Sequence, residues 1–200
     1  MKQIFPNVFE DKGTLFVKGK AGYRVWDPSK SKPAAAIKNG LKIFPLEKGI
    51  SILYLGAGHG TTASYFSEII GKEGIIYAVE VSDRIIKKLL ETAKEKGNIC
   101  PILGDARLMD YKWIGKVDFV YQDIAQRDQV EIFLRNVREF LKPGNFCAIA
   151  IKARAVDSVA DPEEIYKEAR RKIERELEIK DLVKLDPWEK DHCFIVCRKF

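Results

Sequence analysis

Residues 51–60 read Ser51-Ile52-Leu53-Tyr54-Leu55-Gly56-Ala57-Gly58-His59-Gly60, an apolar run that ends in three glycines at alternate positions. Thr61-Thr62-Ala63-Ser64 then opens a helix. A strand feeding a helix through such a turn can bend sharply and approach a ligand with no Cβ in between. Glu80 lies twenty residues past Gly60 and closes a second apolar strand, Ile75-Ile76-Tyr77-Ala78-Val79. An acidic side chain at that point accepts hydrogen bonds from both hydroxyls of a ribose. The chain is therefore expected to bind a nucleoside-containing cofactor around Gly56, Gly58, Gly60 and Glu80.

Position 61 is Thr61, so the third glycine of the nicotinamide-dinucleotide fingerprint is missing, and no Gly-Lys-Ser/Thr phosphate loop occurs. The Gly-x-Gly-x-Gly spacing instead resembles the first motif of S-adenosylmethionine (SAM) methyltransferases. A third strand, Ile99-Cys100-Pro101-Ile102-Leu103, leads to Gly104-Asp105-Ala106. In that superfamily an Asp at this point contacts the adenine amino group. Tyr54 departs from the pattern, since many relatives carry an acid there.

The rest of the chain continues the alternation. Strands are expected near 51–55, 75–80, 99–103, 117–122 and 146–151, and helices near 61–70, 83–96 and 127–141. Ile85, Ile86, Leu89, Leu90 and Ala93 make one apolar face of the second of these helices. The Lys142-Pro143-Gly144 turn is expected before the fifth strand. A charged helix over 161–176 precedes two final strands near 178–185 and 193–198. Upstream, residues 7–18 read as a β-hairpin turning at Asp11-Lys12-Gly13, and Ser31 as the cap of a helix through Leu41. The expected class is α/β: a doubly wound, mostly parallel sheet covered on both faces, of the Rossmann-like methyltransferase type, with a small N-terminal β-hairpin extension. Residues 1–45 would hold the hairpin and linking helix, and 46–200 the methyltransferase domain.

Composition narrows the function classes. No run of about 18 apolar residues exists, so nothing is expected to span a membrane, and the N-terminus lacks a secretory signal's apolar core. The four cysteines, Cys100, Cys147, Cys193 and Cys197, lie in or at the start of apolar runs without Cys-x-x-Cys spacing. That pattern reads as buried thiols in a reducing cytosol, with no metal or disulfide role. The formal net charge of +6 permits a polyanionic partner.

In doubly wound sheets ligands bind beyond the carboxyl ends of the strands, which singles out Glu80, Asp105, Asp123 and Lys152. The fourth strand ends Tyr121-Gln122-Asp123-Ile124-Ala125-Gln126. It lacks both the Asn/Asp-Pro-Pro-aromatic run of base-amine methylation and the cysteine nucleophile of cytosine C5 chemistry. Asp123 and Lys152, with a lysine ahead of the first strand, point to hydroxyl methylation. A ribose hydroxyl is a very weak acid and must lose its proton as it attacks. A partly desolvated lysine flanked by another cation can take that proton, and Asp123 would orient it.

From residue 23 onward the chain resembles fibrillarin, the RNA-guided ribose 2′-O-methyltransferase, in its archaeal form. The matching residues include Arg24-Val25-Trp26-Asp27-Pro28, Ser31-Lys32, Tyr77-Ala78-Val79-Glu80, Gly104-Asp105-Ala106, Gln122 to Gln126, Ile151-Lys152-Ala153-Arg154 and Trp188-Glu189-Lys190-Asp191-His192. The resemblance implies SAM contacts at Thr61, Thr62, Glu80, Val81, Asp105, Ala106, Asp123, Ile124, Ala125 and Gln126. It also implies a Lys-Asp-Lys triad with a fourth polar member, assigned to Lys32, Asp123, Lys152 and His192, with Asp191 the rival for the last place. Family partners follow by resemblance only: a box C/D guide RNA, its target RNA, a Nop-family scaffold protein and a kink-turn-binding core protein, in the archaeal cytosol. His59 stands where relatives carry a serine, and the segment before Tyr23 is shorter than theirs. A stand-alone SAM-dependent O-methyltransferase and a catalytically idle SAM-fold subunit are the competing readings. Retention of both lysines and Asp123 argues against the idle one.

Overall fold

The computed structural model describes residues 1–200. Its first 25 residues form an antiparallel meander of β1 (Lys2–Phe5), β2 (Val8–Asp11), β3 (Thr14–Gly19) and β4 (Gly22–Val25). The sequence reading predicts only the central hairpin. β1 and β4 escape it because their residues are all exposed or half-buried and carry no apolar alternation. Val8, Leu15 and Val17, on the inner face, are fully or almost fully buried. Trp26 follows β4, stacks on Tyr65 at 5.4 Å and is wholly buried. A core aromatic of this kind is worth about 3–5 kcal/mol against alanine.

Helix α1 (Lys32–Lys38) comes next, with Pro33 in its first turn. Ser31 is its N-cap residue, but the expected side-chain cap is not formed. The Ser31 hydroxyl bonds instead to Thr62 Oγ1 at 3.0 Å.

The body of the protein alternates β5 (Ser51–Leu55), α2 (Thr61–Ile70), β6 (Ile75–Glu80), α3 (Ile86–Lys96), β7 (Ile99–Leu103), β8 (Val117–Gln122), α4 (Gln129–Phe140) and β9 (Leu141–Lys152). It closes with α5 (Ala153–Val156), α6 (Pro162–Glu174), β10 (Leu177–Lys184) and β11 (His192–Lys199). One seven-stranded sheet runs in the order β10-β11-β9-β8-β5-β6-β7. β5 to β9 are parallel, and β11 and β10 return antiparallel at one edge. The order reverses between β6 and β8 on either side of β5, which is where such sheets open a crevice for ligands.

Residues of the same strand bury on opposite faces. Ile52 and Tyr54 of β5, Phe119 and Tyr121 of β8, and Phe194 and Val196 of β11 pack toward α1, α2, α3 and the N-terminal meander. Leu53, Leu55, Val120, Cys193 and Ile195 pack toward α4 and α6. Both faces are covered, which is why these strands read as unbroken apolar runs. No helix is long and apolar enough to cross a membrane.

Three local expectations are corrected. Leu90 is 45 % exposed, so the inner face of α3 is Ile86, Leu89 and Ala93. Cys100 is only partly buried, whereas the other three thiols are buried. Lys142-Pro143-Gly144 does not precede β9 but lies inside it. Leu141 already pairs with Val117, and the register slips before Phe146 meets Phe119. Gly144, with φ of 76°, supplies the left-handed residue of this bulge.

Two glycines of the 51–60 stretch separate steric from conformational need. A Cβ on Gly56 (φ 78°) would lie 2.3 Å from the Asp123 carbonyl oxygen, whereas one on Gly58 (φ 57°) would meet nothing within 4 Å. Gly58→Ala should therefore cost only the left-handed penalty, about 1–2 kcal/mol. Gly56→Ala should add overpacking, for a loss of about 3 kcal/mol or more. Urea melts of the two variants check this, and equal midpoints would refute the close approach at Gly56.

Candidate active site

Beyond the carboxyl ends of β5, β6, β7 and β8 lies a cavity of about 300 Å³. Its wall includes Gly56, Gly58, Glu80, Val81, Asp105, Ala106 and the whole turn Asp123-Ile124-Ala125-Gln126. Gly60, Thr61 and Thr62 do not reach it. Gly60 faces α3, where a Cβ would lie 2.9 Å from Leu89 Cδ1. Thr62 is turned toward Ser31, and Thr61 is exposed at the start of α2. Val79, Gly104, Arg107 and Ile132 line the cavity without having been singled out in the sequence. Arg107 had no motif to flag it. Its guanidinium bonds Asp128 at 2.8 and 3.1 Å and the Gln126 side chain at 2.9 Å, tying together the loops after β7 and β8.

Glu80 is 7 % exposed, and its carboxylate is held by backbone amides. Gly58 N–H donates to Oε2 and Ser82 N–H to Oε1, both at 2.9 Å. A carboxylate has about four acceptor sites, so Glu80 retains acceptors for a ligand. Asp105 accepts from Arg107 N–H at 2.8 Å and stands at the far side of the same wall.

The four polar residues named for chemistry meet at the adjoining end of the sheet. Lys32 Nζ donates to Asp123 Oδ2 at 2.8 Å. Lys152 ends β9, with its side chain exposed and without a salt-bridge partner. Asp123 thus orients Lys32 rather than Lys152, a correction to the sequence expectation. His192 is the register partner of Lys152 across β9 and β11, so the two side chains leave the sheet on one face. Asp191 has φ of 58°, and its carboxylate bonds Arg154 at 2.9 Å, away from the group. Of the two rivals for the fourth place, His192 is the one set beside Lys152.

Gln129 fixes the end of β9. It is fully buried, its Oε1 accepts from Lys152 N–H at 3.0 Å, and its Nε2 donates to Lys152 O at 3.1 Å. The same Nε2 donates to Gln126 O at 3.0 Å. One carboxamide thereby grips the Lys152 backbone from both sides and joins it to the cavity turn.

His192 Nδ1 lies 2.7 Å from Lys190 O. A carbonyl only accepts, so Nδ1 carries the proton and Nε2 presents its lone pair. Burial, and then the nearby Lys32 cation, hold the His192 pKa below the usual histidine value. Tyr54 and Tyr121 lie beneath Asp123 with ring centroids 4.7 Å apart. Burial pushes both phenols well above their ordinary value, so they stay neutral.

The fibrillarin family model matches residues 5–200. The fibrillarin-like rRNA/tRNA 2′-O-methyltransferase of Thermococcus gammatolerans is 45 % identical over 179 residues, covering 88 % of this chain and 79 % of its own. A fibrillarin/Nop5p complex superposes with TM-score 0.93 at 42 % identity, over 98 % of each chain. Aeropyrum pernix fibrillarin with natively bound S-adenosyl-L-methionine gives TM-score 0.82 at 37 % identity, over 98 % of this chain and 100 % of its own.

The His192 environment carries a pH signature. Unfolding restores an ordinary histidine pKa of about 6.5, so the unfolded chain binds a proton that the folded chain resists. Stability from this group is full above pH ~6.5 and is lost as pH falls toward the lower folded value. His192→Asn should flatten the fall in Tm between about pH 8 and pH 5 relative to wild type. Parallel Tm curves for the two proteins would refute it.

Proposed function

The chain belongs to the fibrillarin family, and from that premise we propose that it methylates ribose 2′-hydroxyls of rRNA and tRNA with S-adenosylmethionine, as catalytic subunit of a box C/D ribonucleoprotein. The observation that carries the reading is the meeting of Lys32, Asp123, Lys152 and His192 at the rim of a cavity walled by Glu80 and Asp105. The name of the Thermococcus relative supports the reaction, and the fibrillarin/Nop5p complex supports a Nop-family scaffold as partner. Guide RNA, target RNA and a kink-turn-binding protein complete the proposed particle, in the archaeal cytosol. Residues 46–200 would form the catalytic domain, with 1–45 appended to it.

The residues present fit the cofactor. Open space over Gly58 lets a ligand lie against the turn, and Glu80 offers acceptors for ribose hydroxyls. Asp105 and the 123–126 turn would hold the adenine end. When bound, SAM supplies an electrophilic methyl group on a sulfonium centre.

The chain's own groups would handle the proton. Lys32 is ion-paired with Asp123 at 2.8 Å. Lys152, with no carboxylate partner, is the amine that would receive the 2′-hydroxyl proton. The Lys32 cation then stands beside the developing alkoxide. His192 is the register partner of Lys152 on the same face of the sheet. Holding these groups and the substrate together supplies much of the acceleration.

A methyl-transfer assay with labelled SAM tests the whole reading. The chain with scaffold, kink-turn protein and guide should methylate one ribose opposite the guide, and the chain alone should be nearly inactive on RNA. Site-specific activity of the isolated chain would instead support a stand-alone enzyme. Glu80→Ala should weaken SAM binding by about 1–3 kcal/mol, and calorimetry showing unchanged affinity in a folded variant would remove Glu80 from the site. Lys152→Ala should slow single-turnover transfer by ~10²-fold or more while leaving SAM affinity intact. A near-normal rate would sink its role as base.

A further inference from the structure

Positive charge gathers in a second place, along the seam between α2 and α3 and away from the cavity. Two shallow hollows of about 290 and 360 Å³ lie end to end there and share Glu95 and Lys96. The first is walled by Lys18, Lys20, Lys72 and Lys96 over a floor of Ser67 and Asn98. The second passes Arg24 and Lys88 and ends at His59-Gly60-Thr61, the glycine turn itself. Together they follow α2, ten residues and therefore about 15 Å long.

The acids of this groove are already engaged. Glu68 accepts from Arg24 at 3.1 Å and from Lys96 at 2.8 Å, Glu95 pairs with Lys96 at 2.9 Å, and Glu91 with Lys88 at 2.6 Å. Lys18, Lys20 and Lys72 have no carboxylate partner. Lys20 and Lys72 face one another between the β3–β4 turn and the end of α2, and Lys72 holds the Lys20 pKa below the usual lysine range. Two exposed ammonium groups side by side are an arrangement that a bridging anion relieves. On α6, by contrast, Lys167, Arg170 and Lys172 are paired with Glu164, Glu174 and Glu168.

We propose that this groove binds the phosphate backbone of the substrate RNA on one side of the ribose being methylated. The inference rests on the RNA-methylation reading above and adds a location to it. The upper end of the groove at His59 follows directly in the chain on Gly58 of the cavity wall, so a strand whose ribose enters the cavity has flanking phosphates within reach of the groove. In the lower hollow the wall is almost wholly polar and offers no ring for base stacking, which suits backbone contacts without sequence preference. Target choice then remains with base pairing.

The test measures binding of a fluorescein-labelled RNA duplex of mixed sequence by anisotropy over a KCl series. Wild type, Lys20→Glu/Lys72→Glu, Lys20→Gln/Lys72→Gln and the α6 control Arg170→Glu/Arg171→Glu are compared. Both groove variants should bind more weakly. Neutralising the two lysines should lower the slope of log K against log salt by about two, and reversing them by at least as much. The α6 control should match wild type, and SAM affinity by calorimetry should be unchanged in all four. Unaltered RNA affinity and slope in the groove variants would overturn the proposal, as would absence of measurable RNA binding by wild type. Loss of scaffold capture with RNA binding intact would also overturn it and make the groove a protein site. Failure of the methyl-transfer assay would strike the proposed function, whereas the RNA-binding result stands or falls by itself.

Discussion

At the carboxyl ends of β5 and β8 the two backbones pass so closely that a Cβ on Gly56 would lie 2.3 Å from the Asp123 carbonyl oxygen. The approach is held by main-chain bonds. Asp123 N–H donates to Leu55 O at 2.9 Å, while Gly56 and Ala57 N–H donate to Val79 O at 2.9 and 3.0 Å. Three strand ends are thereby tied in one place, and a side chain at position 56 would pry them apart. The same tie sets the back wall of the cavity and the position of the Asp123 carboxylate. A ligand lying on Gly58 and a group reaching Asp123 therefore stand in a fixed relation.

The two lysines differ in that only Lys32 has a counterion. A lysine locked to a carboxylate is a stable cation, suited to stabilising negative charge but unsuited to accepting a proton. Lys32 has such a carboxylate partner, and Lys152 has none. An unpaired side chain at a strand end is mobile unless its backbone is held. Gln129 holds it through both the N–H and the C=O of Lys152, so only the four side-chain torsions stay free.

What the sequence made legible followed from strong local rules. Alternate glycines after an apolar strand, and an acid closing the next strand, located β5, α2, β6 and the Gly56, Gly58 and Glu80 part of the cavity wall. Features set by tertiary contact were not legible. Thr62 has the residue type and spacing of a ligand contact, but its hydroxyl is taken by Ser31 from a distant segment. The bulge in β9 looked like a turn because Pro143 and Gly144 break strands in isolation, and only the pairing of Leu141 with Val117 reveals a strand already begun. Asp191 and His192 could not be separated by alternation alone. The left-handed backbone of Asp191 and its bond to Arg154 separate them.

Lys32 comes from outside the alternating α/β body, so its place beside Asp123 depends on how firmly the N-terminal segment is docked. Five contacts fix it. Arg24 lies 3.7 Å over the Tyr65 ring and donates to Ser64 Oγ at 2.7 Å, and Trp26 stacks on Tyr65 from its other neighbour position in the chain. Tyr65 in turn donates from its hydroxyl to Val25 O at 2.9 Å. The last contact, Ser31 to Thr62, stands one residue before Lys32. All three partners, Ser64, Tyr65 and Thr62, lie on the first turns of α2, the helix that the glycine turn launches. The meander therefore does more than cover apolar surface. It registers Lys32 against the same helix whose start is fixed by the glycine turn, so that the amine and the cavity share one rigid support.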